Sequence, residues 1–248
     1  MGVPQIGCGC AVCHSTDPQD RRTRTSALVE SGGTTLLIDT PPELRLQALA
    51  ANMRNLDAVL YTHEHADHVH GIDDLRSFSL IRGSALPLYG PPGTLAHLKT
   101  AFRYIFDDRI VPLEGTSKPQ LTLHPLAPNV PAEVAGISVL PIAFEHGPLT
   151  VYGYRFGKIA YVTDVKRVEG AALALLRGVE VLVLNALWWR THPTHLSFDE
   201  AIAAARTIGA KRTILTHLPH ETGHGELLAR LPAGIEPGYD GLTVEIPA

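Results

Sequence analysis

The chain has 248 residues, 45% hydrophobic and 19% charged, with 21 basic and 25 acidic side chains for a formal net charge of −4. That length suits one large domain or two small ones, and the balance excludes wholesale disorder. With no block of like charges, the chain lacks the basic footprint of a nucleic-acid binder, and no apolar run reaches the roughly 20 residues that span a bilayer.

In chain order, Met1–Cys10 has neither a basic n-region nor an apolar h-region, so no secretory leader is expected and the expected location is cytoplasmic. Two β-rich runs, Ser26–Ser31 and Thr34–Asp39, flank Gly32-Gly33, a two-residue hairpin signal. Thr40-Pro41-Pro42-Glu43 reads as a capped helix start, with Thr40 as N-cap, Pro41 at the first helical position and Glu43 completing a capping box. That helix runs to about Asn52, and Asp57–Tyr61 is a short strand ending at a cluster of His and Asp. A helix over about Thr94–Phe106 follows, then strands near Leu121–Leu126, Gly136–Phe144, Val151–Phe156 and Ile159–Thr163. Glu169–Arg177 reads as helix and Glu180–Leu184 as a buried strand. Ser197-Phe198-Asp199-Glu200 is a second capping box, opening an Ala-rich helix to about Ile208. Lys211–Thr216 is a strand, Glu221–Arg230 a helix and Leu242–Ile246 a last strand, while Ser77–Pro92 and Phe106–Pro119 read as cleft loops. No repeat and no separating linker appear, which predicts a single α/β domain over 1–248, two packed mixed sheets flanked by helices.

Thirteen histidines are the compositional anomaly. In Thr62-His63-Glu64-His65-Ala66-Asp67-His68, directly after a strand, the six positions from His63 to His68 hold three imidazoles and the carboxylates of Glu64 and Asp67. His63 and His65 project to one side of an extended segment. Asp67 and His68, one turn later, can face a second point about 3–4 Å away, the spacing of two-metal sites. Imidazole nitrogen with carboxylate oxygen suits Zn²⁺, Mn²⁺ or Fe and disfavours Ca²⁺.

The motif resembles the metallo-β-lactamase superfamily of binuclear metallohydrolases, an αββα sandwich whose remaining ligands sit at the ends of later strands. The resemblance implies His63, His65 and His146 on one metal, Asp67, His68 and His217 on the other, and Asp164 bridging. A bridging Asp164, where several β-lactamases have Cys, suits phosphodiesterase or thioester hydrolase members. Two divalent cations in such a site lower the pKa of a shared water and stabilise charge developing on the substrate oxygen.

Cys8, Cys10 and Cys13 are all the cysteines of the chain. An odd, tightly spaced set without a leader argues against a disulfide framework, and three thiolates need one more ligand for tetrahedral Zn²⁺. Gly2-Val3-Pro4-Gln5-Ile6-Gly7-Cys8-Gly9-Cys10 resembles the branch that contains phosphoribosyl 1,2-cyclic phosphate phosphodiesterases of phosphonate catabolism. There a structural zinc takes its fourth ligand from a His three residues after the last catalytic His, which here is His220; His14 and His224 compete for that position. That branch usually opens with a β-strand ahead of this segment, and the segment begins here at Gly2.

Phosphodiester cleavage needs a proton for the leaving alkoxide. His195, just before the Ser197 helix, is the expected general acid, with His192 as competitor, and Asp67 is counted with His195 among the catalytic residues. Arg76, Arg155 and Lys166 are candidates for phosphate, Trp188 and Trp189 for the cleft or the core, and Asp39 reads as a turn and scaffold residue. His70, His97 and His124 read as surface or structural. The expected activity is a binuclear, Zn- or Mn-dependent phosphodiesterase on a small cyclic phosphate ester, most simply phosphoribosyl 1,2-cyclic phosphate. The alternatives are a thioester, lactone or RNA hydrolase of the same fold, or a non-catalytic relative of the pyrroloquinoline quinone biosynthesis family. The expected partner is a small phosphorylated substrate, without membrane or nucleic acid, and the resemblance implies a homodimer.

Overall fold

Glycine pairs and β-branched runs set the first elements. In the computed structural model, which describes residues 2–246, β1 (Ala27–Ser31) and β2 (Thr34–Ile38) form the expected antiparallel hairpin. Gly32 and Gly33 turn it with φ 57° and 85°, angles that a side chain would strain. The chain resolves into two compact units, one formed by Ser26–Ser138 and the other by the residues before and after it.

In the Ser26–Ser138 unit, α1 (Leu44–Ala50) and β3 (Ala58–Leu60) come next. α1 starts three residues later than the capping pattern suggests, because the would-be cap is used elsewhere. The Thr40 hydroxyl bonds Tyr61 Oη (2.9 Å) and donates to Val69 O (3.2 Å), and Glu43 makes no side-chain cap. α2 (Ala66–Val69), a 3₁₀ turn (Ile72–Asp74) and α3 (Leu75–Arg82) follow. Gly71 is required between them: a Cβ there would lie 2.1 Å from Pro41 O. The stretch read as a loop from Ser77 instead holds most of α3 and then β4 (Leu86–Gly90). Its short apolar run, interrupted by Pro87, gave no clean period. The helix expected over Thr94–Phe106 is two, α4 (Pro92–Ala101) and α5 (Arg103–Phe106), broken at Phe102. β5 (Leu121–Pro125) completes a five-stranded sheet ordered β1-β2-β3-β4-β5, parallel except for the hairpin. Leu37, Val59, Tyr61, Leu75, Leu86 and Leu98 lead its core. β6 (Ala132–Val134) precedes the unit boundary.

The other unit begins with the N-terminal segment, tied to itself by the Val3–Arg22 bridge. Its sheet contains β7 (Ile137–His146), in which the chain crosses the boundary, β8 (Leu149–Phe156), β9 (Ile159–Val162), β10 (Val181–Asn185), β11 (Arg212–Thr216) and β12 (Ile235–Pro237). β7, β8 and β9 pair antiparallel, and β9 to β12 run parallel, so this sheet is also mixed. Its helices are α6 (Gly170–Leu176), α7 (Phe198–Ile208) and α8 (His224–Arg230). α7 carries the expected capping box in full, the Ser197 hydroxyl accepting from Glu200 N and Glu200 accepting from Ser197 N. The last strand expected at Leu242–Ile246 is absent: those residues join no ladder and none is buried, and β12 takes the final place. Alternation of residue types makes no strand without a partner to bond.

Candidate metal centres and acid

The His-rich motif leaves β3 at Tyr61 and passes through α2. His63 and His68 are buried, His65 is exposed and Asp67 half-buried. Asp39, fully buried at φ 61° just beyond β2, holds this segment from outside it. Its Oδ1 accepts from Thr62 N (2.7 Å), and its Oδ2 accepts from Thr62 Oγ1 (2.7 Å) and His68 Nδ1 (2.8 Å). Burial pushes the Asp39 carboxyl up, against the pull of His68 and the Thr62 donors.

The hydrogen bonds assign the tautomers. Because the Thr62 hydroxyl donates to Asp39, its oxygen accepts the Nδ1–H of His63 at 3.0 Å. His63 and His68 therefore both keep a lone pair on Nε2, as neutral imidazole ligands need. His63 Nε2 lies 2.9 Å from His65 Nδ1, and His68 Nε2 lies 3.9 Å from Asp67 Oδ2.

In the other unit the donors arrive singly, at strand ends. His146 closes β7, buried, its Nδ1 donating to Thr194 O at 3.0 Å, which puts the lone pair of a neutral ring on Nε2. Asp164 follows β9 at φ 58° and His217 follows β11 at φ 57°, left-handed turns that Asp and His tolerate better than most residues. The turn after Asp164 is locked by Asn185, whose amide accepts from Val165 N (2.9 Å) and donates to Val165 O (3.2 Å). Nothing in the spacing singles out Asn185, Thr62 or Thr194, whose roles exist only in three dimensions.

Asp164, His195 and His217 gather, their donor atoms all within 4.8 Å of one another. Asp164 Oδ1 accepts from Thr163 Oγ1 (2.6 Å); its Oδ2 lies 3.0 Å from His195 Nε2 and 3.5 Å from His217 Nε2. His192 Nδ1 accepts from Thr194 N at 3.2 Å and lies 3.2 Å from His195 Nδ1, which also meets Thr194 Oγ1 at 3.1 Å. The His195 ring is thus held at both nitrogens, by Asp164 on one side and by Thr194 and His192 on the other. His192 itself is kept more neutral by burial and by the neighbouring His195.

Cys8, Cys10, Cys13 and His220 form a further group, with donor atoms within 4.8 Å of one another. His220 Nδ1 lies 3.4 Å from Cys8 Sγ and 3.3 Å from Cys10 Sγ, while Gln5 N donates to Cys13 Sγ. His220 and the Cys13 N–H pull the Cys10 thiol down to about 6, whereas burial pushes Cys13 up. Three sulfurs and one imidazole are a tetrahedral zinc donor set. His14 and His224 stand outside the group: His14 Nδ1 contacts Cys10 O, and His224 is bound through its backbone N–H to Asp20.

The candidate phosphate cations are engaged elsewhere. Lys166 is clasped by both oxygens of Glu200 (2.7 and 2.8 Å), Arg155 donates to the carbonyls of Gly157, Leu175 and Arg177, and Arg76 binds Asp73 and Ser117 O. Trp189 packs on Phe198, and His70 and His124 lie against Phe102 and Tyr89. No helix of the described residues is long and apolar enough to cross a membrane.

Residues 34–218 match the family model of the beta-lactamase superfamily domain, and the chain belongs to that superfamily. Its fold is the metallo-β-lactamase fold. A solved structure described as a new diphosphatase from the PhnP family is 42% identical, with TM-score 0.89, covering 98% of this chain and 91% of that one, which sets the chain in that branch. A protein named octanoyltransferase, from Porphyromonas gingivalis (strain ATCC BAA-308 / W83), is 41% identical over 99% of this chain and 49% of its own length. A ribonuclease Z from Bradyrhizobium sp. (strain ORS 278) is 31% identical over 56% of this chain and 46% of its own. The matched part of each of these two curated relatives is about half its length.

Proposed function

We propose that the chain is a binuclear metal-dependent phosphodiesterase that opens a small cyclic phosphate ester, phosphoribosyl 1,2-cyclic phosphate or a related sugar or nucleotide diester. His63, His65 and His146 would hold one divalent cation, Asp67, His68 and His217 the other, with Asp164 between them. The donor chemistry fits: His63, His68 and His146 each present an Nε2 lone pair fixed by a hydrogen bond at Nδ1. Such a pair of cations, Zn²⁺ or Mn²⁺, supplies Lewis acidity and a nucleophile drawn from water at neutral pH. Cys8, Cys10, Cys13 and His220 would hold a structural zinc.

The carrying observation is His195, with Nε2 at 3.0 Å from Asp164 and Nδ1 backed by His192. An alkoxide is a poor leaving group and needs a proton as the P–O bond breaks, whereas a thiolate leaves without one. A proton donor beside Asp164 therefore favours a phosphodiester over a thioester. Asp67, half-exposed at the first turn of α2, orients the attacking water. The relative with diphosphatase in its description supports phosphoric substrates. The name octanoyltransferase belongs to a protein twice as long as its matching part.

Protein reconstituted with Mn²⁺ or Zn²⁺ is assayed on 5-phosphoribosyl 1,2-cyclic phosphate, on a linear diphosphate ester and on an octanoyl thioester, with Asp164→Ala as the blank. Ring opening abolished by the substitution is expected. Thioester hydrolysis without diester hydrolysis, at full metal content, overturns the reading.

A further inference from the structure

After β10 the chain makes a closed loop. Leu187 N donates to Leu196 O (2.8 Å), Leu196 N to Val165 O (3.0 Å) and Phe198 N to Trp188 O (2.9 Å), so both ends of the 188–195 segment are pinned. Inside it Trp188 stands at φ 77°, a conformation a bulky residue holds only when its surroundings impose it. Its neighbour Trp189 turns away to Phe198, under the guanidinium of Arg230.

The surroundings of Trp188 are specific. The Arg190 guanidinium lies over its ring, 3.7 Å from the centroid, and the indole meets His192 edge-on at 4.8 Å. Arg190 is aimed by Glu221: Nη1 donates to both carboxylate oxygens (3.1 and 3.0 Å) and Nη2 to one (3.1 Å). This fork fixes the plane of the guanidinium as a single ammonium contact would not. Glu221 is the residue after His220, whose ring is among the Cys8, Cys10 and Cys13 sulfurs. At the other end, His192 Nδ1 meets His195 Nδ1.

We infer that Glu221, Arg190 and Trp188 form a strap that positions the acid His195 through His192, tying the loop that carries the acid to the Cys/His group. The inference deepens the phosphodiesterase reading and rests on it. None of the three touches the reacting atoms; they are positioning residues. A displaced acid slows only those reactions that need its proton. The strap therefore governs turnover of substrates with poor leaving groups and is silent toward those whose leaving group departs unprotonated.

The test uses metal-loaded protein, with metal content measured, and Arg190→Met, Arg190→Lys and Glu221→Gln. Each is assayed on an alkyl phosphodiester and on bis(4-nitrophenyl) phosphate, and the His195 ring ¹⁵N resonances are recorded. Arg190→Met is expected to lower kcat on the alkyl ester about three- to tenfold, with KM and metal content unchanged. Nitrophenyl turnover stays within about twofold, and Arg190→Lys recovers part of the loss. Equal losses on both substrates, or none on either, overturn the strap. If the metal-loaded wild type opens neither diester, the phosphodiesterase reading falls. The ¹⁵N resonances then decide positioning alone: a shift at His195 in Arg190→Met upholds it, and unchanged resonances refute it.

Discussion

The two units hold their donor side chains in opposite ways. In the Ser26–Ser138 unit, His63, His65, Asp67 and His68 lie in one continuous segment, and the buttress that sets their tautomers, Asp39, comes from a different strand end. In the other unit, His146, Asp164 and His217 come one by one from the ends of β7, β9 and β11, and their supports are the neighbours Thr163, Thr194 and Asn185. A contiguous motif needs an external clamp to fix its rings. Scattered donors are aimed by strand register and by left-handed turns at Asp164 and His217.

The comparison can be broken most severely at Gly71, where the chain from α2 crosses the Thr40–Leu44 turn. Gly71→Ala puts a methyl against Pro41 O, and we expect a loss of about 3 kcal/mol or more, seen as a collapse of the melting temperature. Asp39→Ala sharpens it: the rings of His63 and His68 lose their orientation, and affinity for added Zn²⁺ or Mn²⁺ is expected to fall about 10- to 100-fold by competitive chelator titration. Asn185→Ala is the matching cut in the other unit. It frees the turn after Asp164 and takes from Val165 N its bond to Asn185, while Val165 O keeps only Leu196 N, costing about 1–3 kcal/mol by denaturant unfolding. Ser197→Ala, which removes half of the α7 capping box, is the mildest, at about 1 kcal/mol in the same measurement.

Legibility followed the same division. The motif after β3 could be read directly because its chemistry is local in the chain, and the hairpin and the α7 capping box are equally local. His146, Asp164, His217 and His220 were reached through family resemblance; by residue type alone each is a single His or Asp after an apolar run. Asp39 read as scaffold, and its three hydrogen bonds show the scaffold it provides. Thr40 misled, because a hydroxyl ahead of Pro41 looks like a cap while its bonds go to Tyr61 and Val69. Arg76, Arg155 and Lys166 could not be sorted from sequence, since what separates a solvent-facing cation from an engaged one is the position of a distant carboxylate or carbonyl.

One feature of the chain order reaches into biosynthesis. Cys8, Cys10 and Cys13 are made before His220, which follows about two hundred residues later, roughly 10–40 s of synthesis at about 5–20 residues per second. The Ser26–Ser138 unit is contiguous and emerges whole in that interval. The three thiols spend it without their imidazole partner, exposed to oxidants and to competing metals. Completion of the Cys/His set therefore waits on the later-made imidazole, and an oxidising environment reaches its thiols before their partner does.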